Sequence, residues 1–396
     1  MPETLVAEAS RRLETWIESQ AFMGWDPFDA LNSPLLNRLV FGKRRLGQVW
    51  VQAFKRSPVN FRPLLGVPKG YNPKAMGLFL AAYIRKYLLN GRSTDLERVR
   101  FFLDWLSANV SPGYSGACWG YNFDWPNRGF FAPARTPTIV NTAFIALAYC
   151  DLWKLKRGER TATWDVSILQ TARSACEFIL CDLNIFKPAP DELCFSYTPL
   201  DQRYVHNANV LGAWLLAEVA VKTGESELKQ AALASARYTA RKQRSNGSWL
   251  YGEGSNDHWV DNFHTGYVLT ALQAIQRALR TDEFAAVIRK GYAYWKATFF
   301  LKDGTPKYYP DKTYPIDIHS ASQAILTFLA FTELDSGTYS EAQRIALWTI
   351  QNMQAAEGYF FYQINRWYRI HIPYMRWSQA WMLRALTELE FRSRII

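Results

Sequence analysis

The sequence predicts an all-α fold, an (α/α)6 toroid of six inner and six outer helices, on three observations. From residue 72 onward, nearly apolar helices alternate with helices that carry a single apolar stripe. The alternation settles to a period of about 56 residues, and long connections alternate with short ones. Helices that are apolar all round belong inside, and one-striped helices cover them.

In chain order, an amphipathic helix over 3–19 opens the sequence and a long irregular segment follows to residue 70. Within that segment, 35–56 (LLNRLVFGKRRLGQVWVQAFKR) mixes apolar residues with Arg38, Lys43, Arg44, Arg45, Lys55 and Arg56. Such a stretch reads either as the solvated face of a packed helix or as a contact for anionic lipid or a lipid-linked substrate. The inner helices are expected at 73–88, 138–153, 207–221, 262–279, 318–334 and 376–389. Their outer partners are expected at 3–19, 95–108, 165–180, 225–242, 282–299 and 339–353. Inner-to-outer links such as 222–224 and 336–338 are short, whereas the outer-to-inner links 110–137, 181–206, 244–261, 301–317 and 354–375 are long and aromatic. The long loops therefore gather over the N-termini of the inner helices, and the mouth they form is the expected site. The domain expectation is one toroid over 1–396, with a basic irregular and helical insertion at about 20–71.

The 396 residues are 49% hydrophobic with a mean hydropathy of -0.20, which is ordinary for a globular protein with ample core. Aromatic residues make up 15% and include 16 Trp, more than a core of this size requires, so many should line a groove. A net charge of +11 points toward an anionic partner: nucleic acid, a membrane surface or an acidic glycan. No phosphate-cradling G-x-x-x-x-G-K-[ST] or G-x-G-x-x-G motif is present, so nucleotide chemistry is not expected. Of the anionic partners the glycan is the expected one, and nucleic acid is not. Five cysteines (Cys118, Cys150, Cys176, Cys181, Cys194) without a C-x-x-C pair suggest free thiols. With no leader and no run of apolar residues long enough to span a bilayer, the expected location is cytoplasmic, with peripheral membrane contact through 35–56.

Aligning the inner-helix starts reveals a rim. His206-Asn207-Ala208, His264-Thr265-Gly266 and His319-Ser320-Ala321 share one form, preceded by Asn141-Thr142-Ala143 and followed by Arg376-Trp377-Ser378. The intervals between first residues are 65, 58, 55 and 57, which match the helical period. Helix-entry packing accounts for any one of these positions, but convergent ionisable groups suggest a binding site. Of the nearby acids, Asp261 and Asp317 directly precede helices and should cap them. The expected catalytic set is His264, His206, Tyr197, Glu253, Asp257 and Asp261. The expected substrate-binding set is Trp119, Tyr121, Asp124, Arg135, Asn141, Asn207, Asp201, Trp249, Tyr251, His258, Tyr308, Asp317, His319, Arg376 and Trp377. No HExxH or cysteine-rich pattern appears, so neither a metal nor another cofactor is expected.

The motifs WGYNFDW (119–125), RTPTIVNT (135–142), SYTPLD (196–201), VHNAN (205–209), GSWLYGEG (247–254), DNFHTG (261–266), YPIDIHS (314–320) and PYMRWSQAWM (373–382) resemble a group of uncharacterised toroid proteins. These accompany bacterial polysaccharide and lipopolysaccharide biosynthesis genes and are related to the six-hairpin glycosidase superfamily. The resemblance implies the same fold and a carbohydrate context, with no catalytic residue to carry over. KQRSNGSW (242–249) and NMQAAEGYF (352–360) are also similar to the Gln-Gly-aromatic turns of terpene cyclases. The acidic D-x-D-D initiator of those cyclases and the zinc ligands of prenyltransferases are missing.

The expected function is therefore action on an anionic, uronic-acid-type glycan during bacterial polysaccharide biosynthesis. Hydrolysis would draw on Glu253 with Asp257, Asp124 or Asp317. Elimination or epimerisation would use His264, His206 or Tyr197 as base or acid, with Arg376, Arg135, Asn141 and Asn207 holding the carboxylate. A non-catalytic glycan-binding or scaffold protein is the alternative, and a terpenoid cyclase the third reading.

Overall fold

The computed structural model describes residues 2–40, 43–127, 129–156 and 167–394. Positions 165 and 166 of the expected outer helix over 165–180, and positions 41 and 42 of the basic segment, lie outside the described residues. The chain divides into two compact units, one of Met1–Phe102, Tyr121–Thr136 and Phe300–Ile396, the other of Leu103–Gly120 and Pro137–Phe299.

The helices follow in chain order: α1 (Pro2–Ser19), α2 (Pro34–Val40), α3 (Arg44–Arg56), α4 (Pro73–Asn90), α5 (Ser93–Ala108), α6 (Ile139–Lys156), α7 (Ser167–Cys181) and α8 (His206–Thr223). Then come α9 (Ser226–Arg241), α10 (Asn262–Leu279), α11 (Ala285–Thr298), α12 (Ile318–Ala330), α13 (Thr338–Met353) and α14 (Trp381–Ser393). All twelve expected helices are present, most within three residues of the expected ends. The last inner helix differs: Met375–Ala380 forms a π-helical turn before α14, and such turns recur at functional sites.

In the second unit α8 packs between α6 and α10, with α7 against α6 and α8, and α9 against α8 and α10. In the first unit α14 packs between α4 and α12, with α13 on α12 and with α1 on α14 and α13. The alternation of apolar and one-striped helices is thus realised as inner and outer helices. From His206 to Ala213 every residue of α8 is buried, because its Ala, Gly and Asn side chains let neighbouring helices approach closely.

Side chains set the starts of the inner helices. Asn72 accepts from the backbone N–H of Lys74 and Ala75, Asp261 from His264, and Asp317 from His319, as their positions before these helices predict. Thr138 does the same for Asn141 at the start of α6, where Oγ1 accepts at 3.0 Å. The long loops carry two-residue strands. β1 (Trp125–Pro126) pairs with β2 (Phe131–Ala132), β3 (Ile185–Phe186) with β4 (Cys194–Phe195), and β5 (Ile316–Asp317), β6 (Gln363–Ile364) and β7 (Arg369–Ile370) form one antiparallel sheet.

The segment over 20–71 is more ordered than its irregular pattern suggests. A satellite core of Ala30, Leu31, Leu36, Val40, Val51, Phe54 and Val67, flanked by Trp25, Phe28, Trp50 and Leu65, binds α2 to α3. No helix among the described residues is long and apolar enough to cross a membrane.

Candidate active site

The start of α10 is the most developed constellation. Asp261 is buried; its Oδ1 accepts from the His264 backbone N–H at 3.0 Å, and its Oδ2 lies 2.7 Å from His264 Nδ1 and 2.9 Å from the Trp259 indole N–H that donates to it. One carboxylate thus caps the helix and orients the imidazole three residues later. With Nδ1–H donated to Asp261, the lone pair of His264 is on Nε2. His264 lines a cleft with Asn207, Trp249, Tyr251, Asp261 and Thr265. Tyr251 stacks on Trp259 at 4.3 Å and lies 4.6 Å from the His264 ring. The loop holds this position through backbone bonds from Tyr251 N–H to Trp259 and from His206 N–H to Tyr251.

On the neighbouring inner helix, His206 Nε2 lies 2.8 Å from Glu253 Oε1, and Lys242 Nζ donates to the other Glu253 oxygen at 2.7 Å. The hydrogen bond to His206, offset in part by burial and reinforced by Lys242, holds the Glu253 carboxyl down to about 2. An ionised carboxylate only accepts, so His206 Nε2–H donates and Nδ1 remains, buried and without a hydrogen-bond partner among the described residues. The Asn207 amide oxygen and both amide atoms of Asn141 are in the same condition. Buried polar atoms left unpaired cost about 1–3 kcal/mol each, and of these residues Asn207 also lines the cleft.

The remaining acids are committed elsewhere. Asp257 is buried in an ion pair with Arg203. Asp201 accepts from the backbone N–H of Tyr197, Thr198 and Arg203 and thereby shapes a turn. Trp119 and Trp249 are buried with their indole N–H on the Leu106 and Thr239 carbonyls, so both pack the unit, Trp249 also closing the wall of the cleft. Tyr197 is buried and His258 is exposed in the loop.

The first unit holds a second cluster. Asp317 caps α12 and also accepts from the Trp377 indole N–H and the Gln363 amide, both at 2.9 Å, while burial raises its carboxyl above the ordinary range. His319 is buried between Trp377 (4.6 Å) and Trp381 (4.7 Å). Arg376, expected to hold a substrate carboxylate, is instead buried in a two-point pair with Asp26 at 2.6 and 2.8 Å, its guanidinium 4.9 Å over the Tyr121 ring. Its charge is already met within the protein. Asp124 accepts from the Ala134 backbone N–H at 2.8 Å, Arg135 is exposed with a φ of 68°, and Tyr308 lies against Tyr309.

Two residues of this cluster escaped the sequence pattern. Asp26 is 350 positions from its partner Arg376. Lys74 enters at the start of α4, 67 residues before Asn141, and so occupies the one repeat position left unassigned. It is buried, its ammonium lies 5.2 Å over Trp381, and burial followed by the repulsion of Arg376 holds it well below the ordinary lysine range. The interval was the available signal, obscured because Asn72-Pro73-Lys74 lacks the histidine form.

No protein-family model and no curated protein matches the sequence. Solved structures do. Cellobiose 2-epimerase from Bacillus thermoamylovorans B4167 is 13% identical with a TM-score of 0.63, covering 83% of this chain and 90% of its own. D-mannose isomerase is 10% identical with a TM-score of 0.59, covering 81% and 87%. Unsaturated glucuronyl hydrolase from Streptococcus agalactiae is 12% identical with a TM-score of 0.60, covering 98% and 90%. These neighbours belong to the six-hairpin glycosidase superfamily, and the fold of this chain is the (α/α)6 toroid.

Proposed function

We propose that the protein is a carbohydrate-active enzyme that moves a proton at a sugar carbon, with His264 as the base. The observation that carries this reading is the Asp261–His264 pair, in which the carboxylate holds Nδ1 at 2.7 Å and leaves Nε2 as the basic nitrogen of a residue that lines the cleft. Epimerisation, isomerisation and elimination all begin by removing a proton next to a carbonyl or carboxylate. His206 is the second proton carrier, and the amide NH2 of Asn207, not its unpaired oxygen, is the donor for the charge that develops on oxygen. The neighbours whose names include an epimerase and an isomerase support the same chemistry.

Hydrolysis fits less well. It needs a protonated carboxyl that can reach the substrate, whereas Glu253 is held down to about 2, Asp257 is paired with Arg203, and Asp317, though burial raises its carboxyl, is buried with both oxygens engaged by His319, Trp377 and Gln363. Tyr251 and Trp259 supply aromatic surface for a sugar ring. A place in bacterial polysaccharide biosynthesis follows from the resemblance of the loop motifs, and uronic-acid glycans belong in the substrate panel beside neutral ones.

The test is incubation of the protein in D2O with neutral and uronic-acid oligosaccharides, followed by NMR. For epimerisation or isomerisation, deuterium should enter a sugar carbon without new reducing ends; for elimination, the proton is lost to solvent, the expelled sugar is released and the product is read by the ultraviolet absorbance of its new double bond. His264→Asn should slow that step by about 10²–10⁴-fold. New reducing ends with neither label nor an unsaturated product would identify a hydrolase, and binding without chemistry would identify a glycan-binding protein; either overturns the proposal.

A further inference from the structure

The apolar residues left exposed in this molecule are not scattered. Nine of the nineteen large exposed apolar side chains among the described residues fall in α2, α3, the loop that follows them and the β6–β7 turn. On α2, Leu36 and Val40 face the satellite core while Leu35 and Leu39, one turn apart, face solvent. On α3, Gly47, Val51 and Phe54 are buried while Leu46, Val49 and Ala53 form a stripe on the outer side. Both helices therefore satisfy their packing with one face and carry a second apolar face with no structural use. In the loop after α3 Leu64 is 80% exposed, and in the β6–β7 turn Trp367 is 81% exposed; the Tyr368 hydroxyl, 3.5 Å from the Arg56 carbonyl, places that turn beside the end of α3.

The same surface is cationic. Arg38, Lys43, Arg45, Arg56, Arg366 and Arg369 are exposed on it, and Asp and Glu are absent from the whole stretch 30–94. We infer that this face binds the surface of a bilayer carrying anionic headgroups. Leucine, valine and an interfacial tryptophan enter the headgroup boundary while the cations meet the lipid phosphates. A second copy of the chain fits poorly, because joining two such faces sets cations against cations. A nucleic acid would use the charges but leave the leucine stripes in water. The inference is independent of the reaction proposed above.

Flotation of the whole protein with vesicles tests it. The protein should rise with vesicles of phosphatidylglycerol and phosphatidylcholine in about equal parts and stay down with phosphatidylcholine alone. The double variant Leu46→Asp/Leu64→Asp should lose at least tenfold in partition, and Arg45→Ala/Arg56→Ala about fivefold per charge. Ile185→Asp, an exposed apolar residue outside the patch, should float like the parent. Unchanged circular dichroism and melting of each variant establish that the fold survives. The inference is overturned if the protein stays at the bottom with anionic vesicles, floats equally on neutral ones, or floats fully as the Leu46→Asp/Leu64→Asp variant. A dimer in solution that this pair converts to monomer overturns it as well.

Discussion

Asp261 performs three tasks with two oxygens, and they can be separated. As the cap of α10 it satisfies one free backbone donor; as the partner of His264 Nδ1 it fixes which ring nitrogen is basic; and it anchors the Trp259 indole. Asparagine caps a helix about as well as aspartate but cannot stabilise an imidazolium. Asp261→Asn keeps the cap through its amide oxygen but turns an NH2 toward the Trp259 indole N–H, so it should lose about 1–3 kcal/mol of stability while turnover falls by about 10²–10⁴-fold, read as melting temperature against kcat. Asp261→Ala should lose the cap as well, at a further cost of about 1 kcal/mol. Glu253 gives the pH dependence. Its carboxyl is depressed to about 2 in the folded protein, against about 4.3 when unfolded, so its pairing with His206 and Lys242 stabilises fully above that unfolded value. The contribution is lost as pH falls toward about 2, and it should be missing from Glu253→Gln in denaturant titrations at neutral and acid pH. At this scale the sequence was half legible. The histidine positions follow from the repeat, but Trp119 and Trp249 looked like loop aromatics and are core, because burial depends on which carbonyl an indole finds across the fold.

The turns resembling those of terpene cyclases show at the scale of elements what their glutamine does. Gln243 donates from one amide nitrogen to the Gly247 carbonyl at 3.2 Å and to Val287 of α11 at 2.9 Å. Gln354 donates to Gly358 and to Ala9 of α1, both at 2.9 Å. Each glutamine closes its own turn and ties the end of one outer helix to the next. The glycines complete the contact: Gly247 and Gly358 have φ of 92° and 104°, and a Cβ on them would lie 2.7 Å from the Lys290 carbonyl and 2.5 Å from that of Arg12. Gly247→Ala and Gly358→Ala should each cost about 2–4 kcal/mol in denaturant unfolding, since both backbone strain and a backbone clash oppose them. Gly91, which ends α4 with a φ of 64° and open space around it, should cost only about 1–2 kcal/mol as alanine. The motif was legible as a turn; that it joins neighbouring outer helices was not, because its partners lie tens to hundreds of residues away in the chain.

For the whole molecule, the distribution of charge matters more than its sum. The stretch 30–94 carries twelve Lys and Arg and no acid, so the remaining chain balances 34 cations against 35 acids. In sequence the net +11 therefore lies in one segment; of its cations Lys74 alone takes a rim position, where it is buried, and Arg376 there is already paired with Asp26. Sequence-wide charge suggested an anionic glycan because a sum cannot say where the charge lies. The period, by contrast, was legible from end to end, since each inner helix repeats the same burial problem. This separation predicts different salt dependences for two activities of one protein. Contact with an anionic surface gains about 1 kcal/mol per nearby cation at moderate ionic strength, and it weakens as the Debye length falls from about 10 Å at 0.1 M to about 3 Å at 1 M salt. At the site proposed beside His264, hydrogen bonding and stacking of a neutral sugar would have no such dependence. Raising sodium chloride from about 0.1 to about 1 M should release the protein from anionic vesicles while leaving kcat/KM on a neutral oligosaccharide within about twofold. A parallel loss of both in one titration would show that the cationic segment serves substrate capture, and would return the anionic-glycan reading to first place.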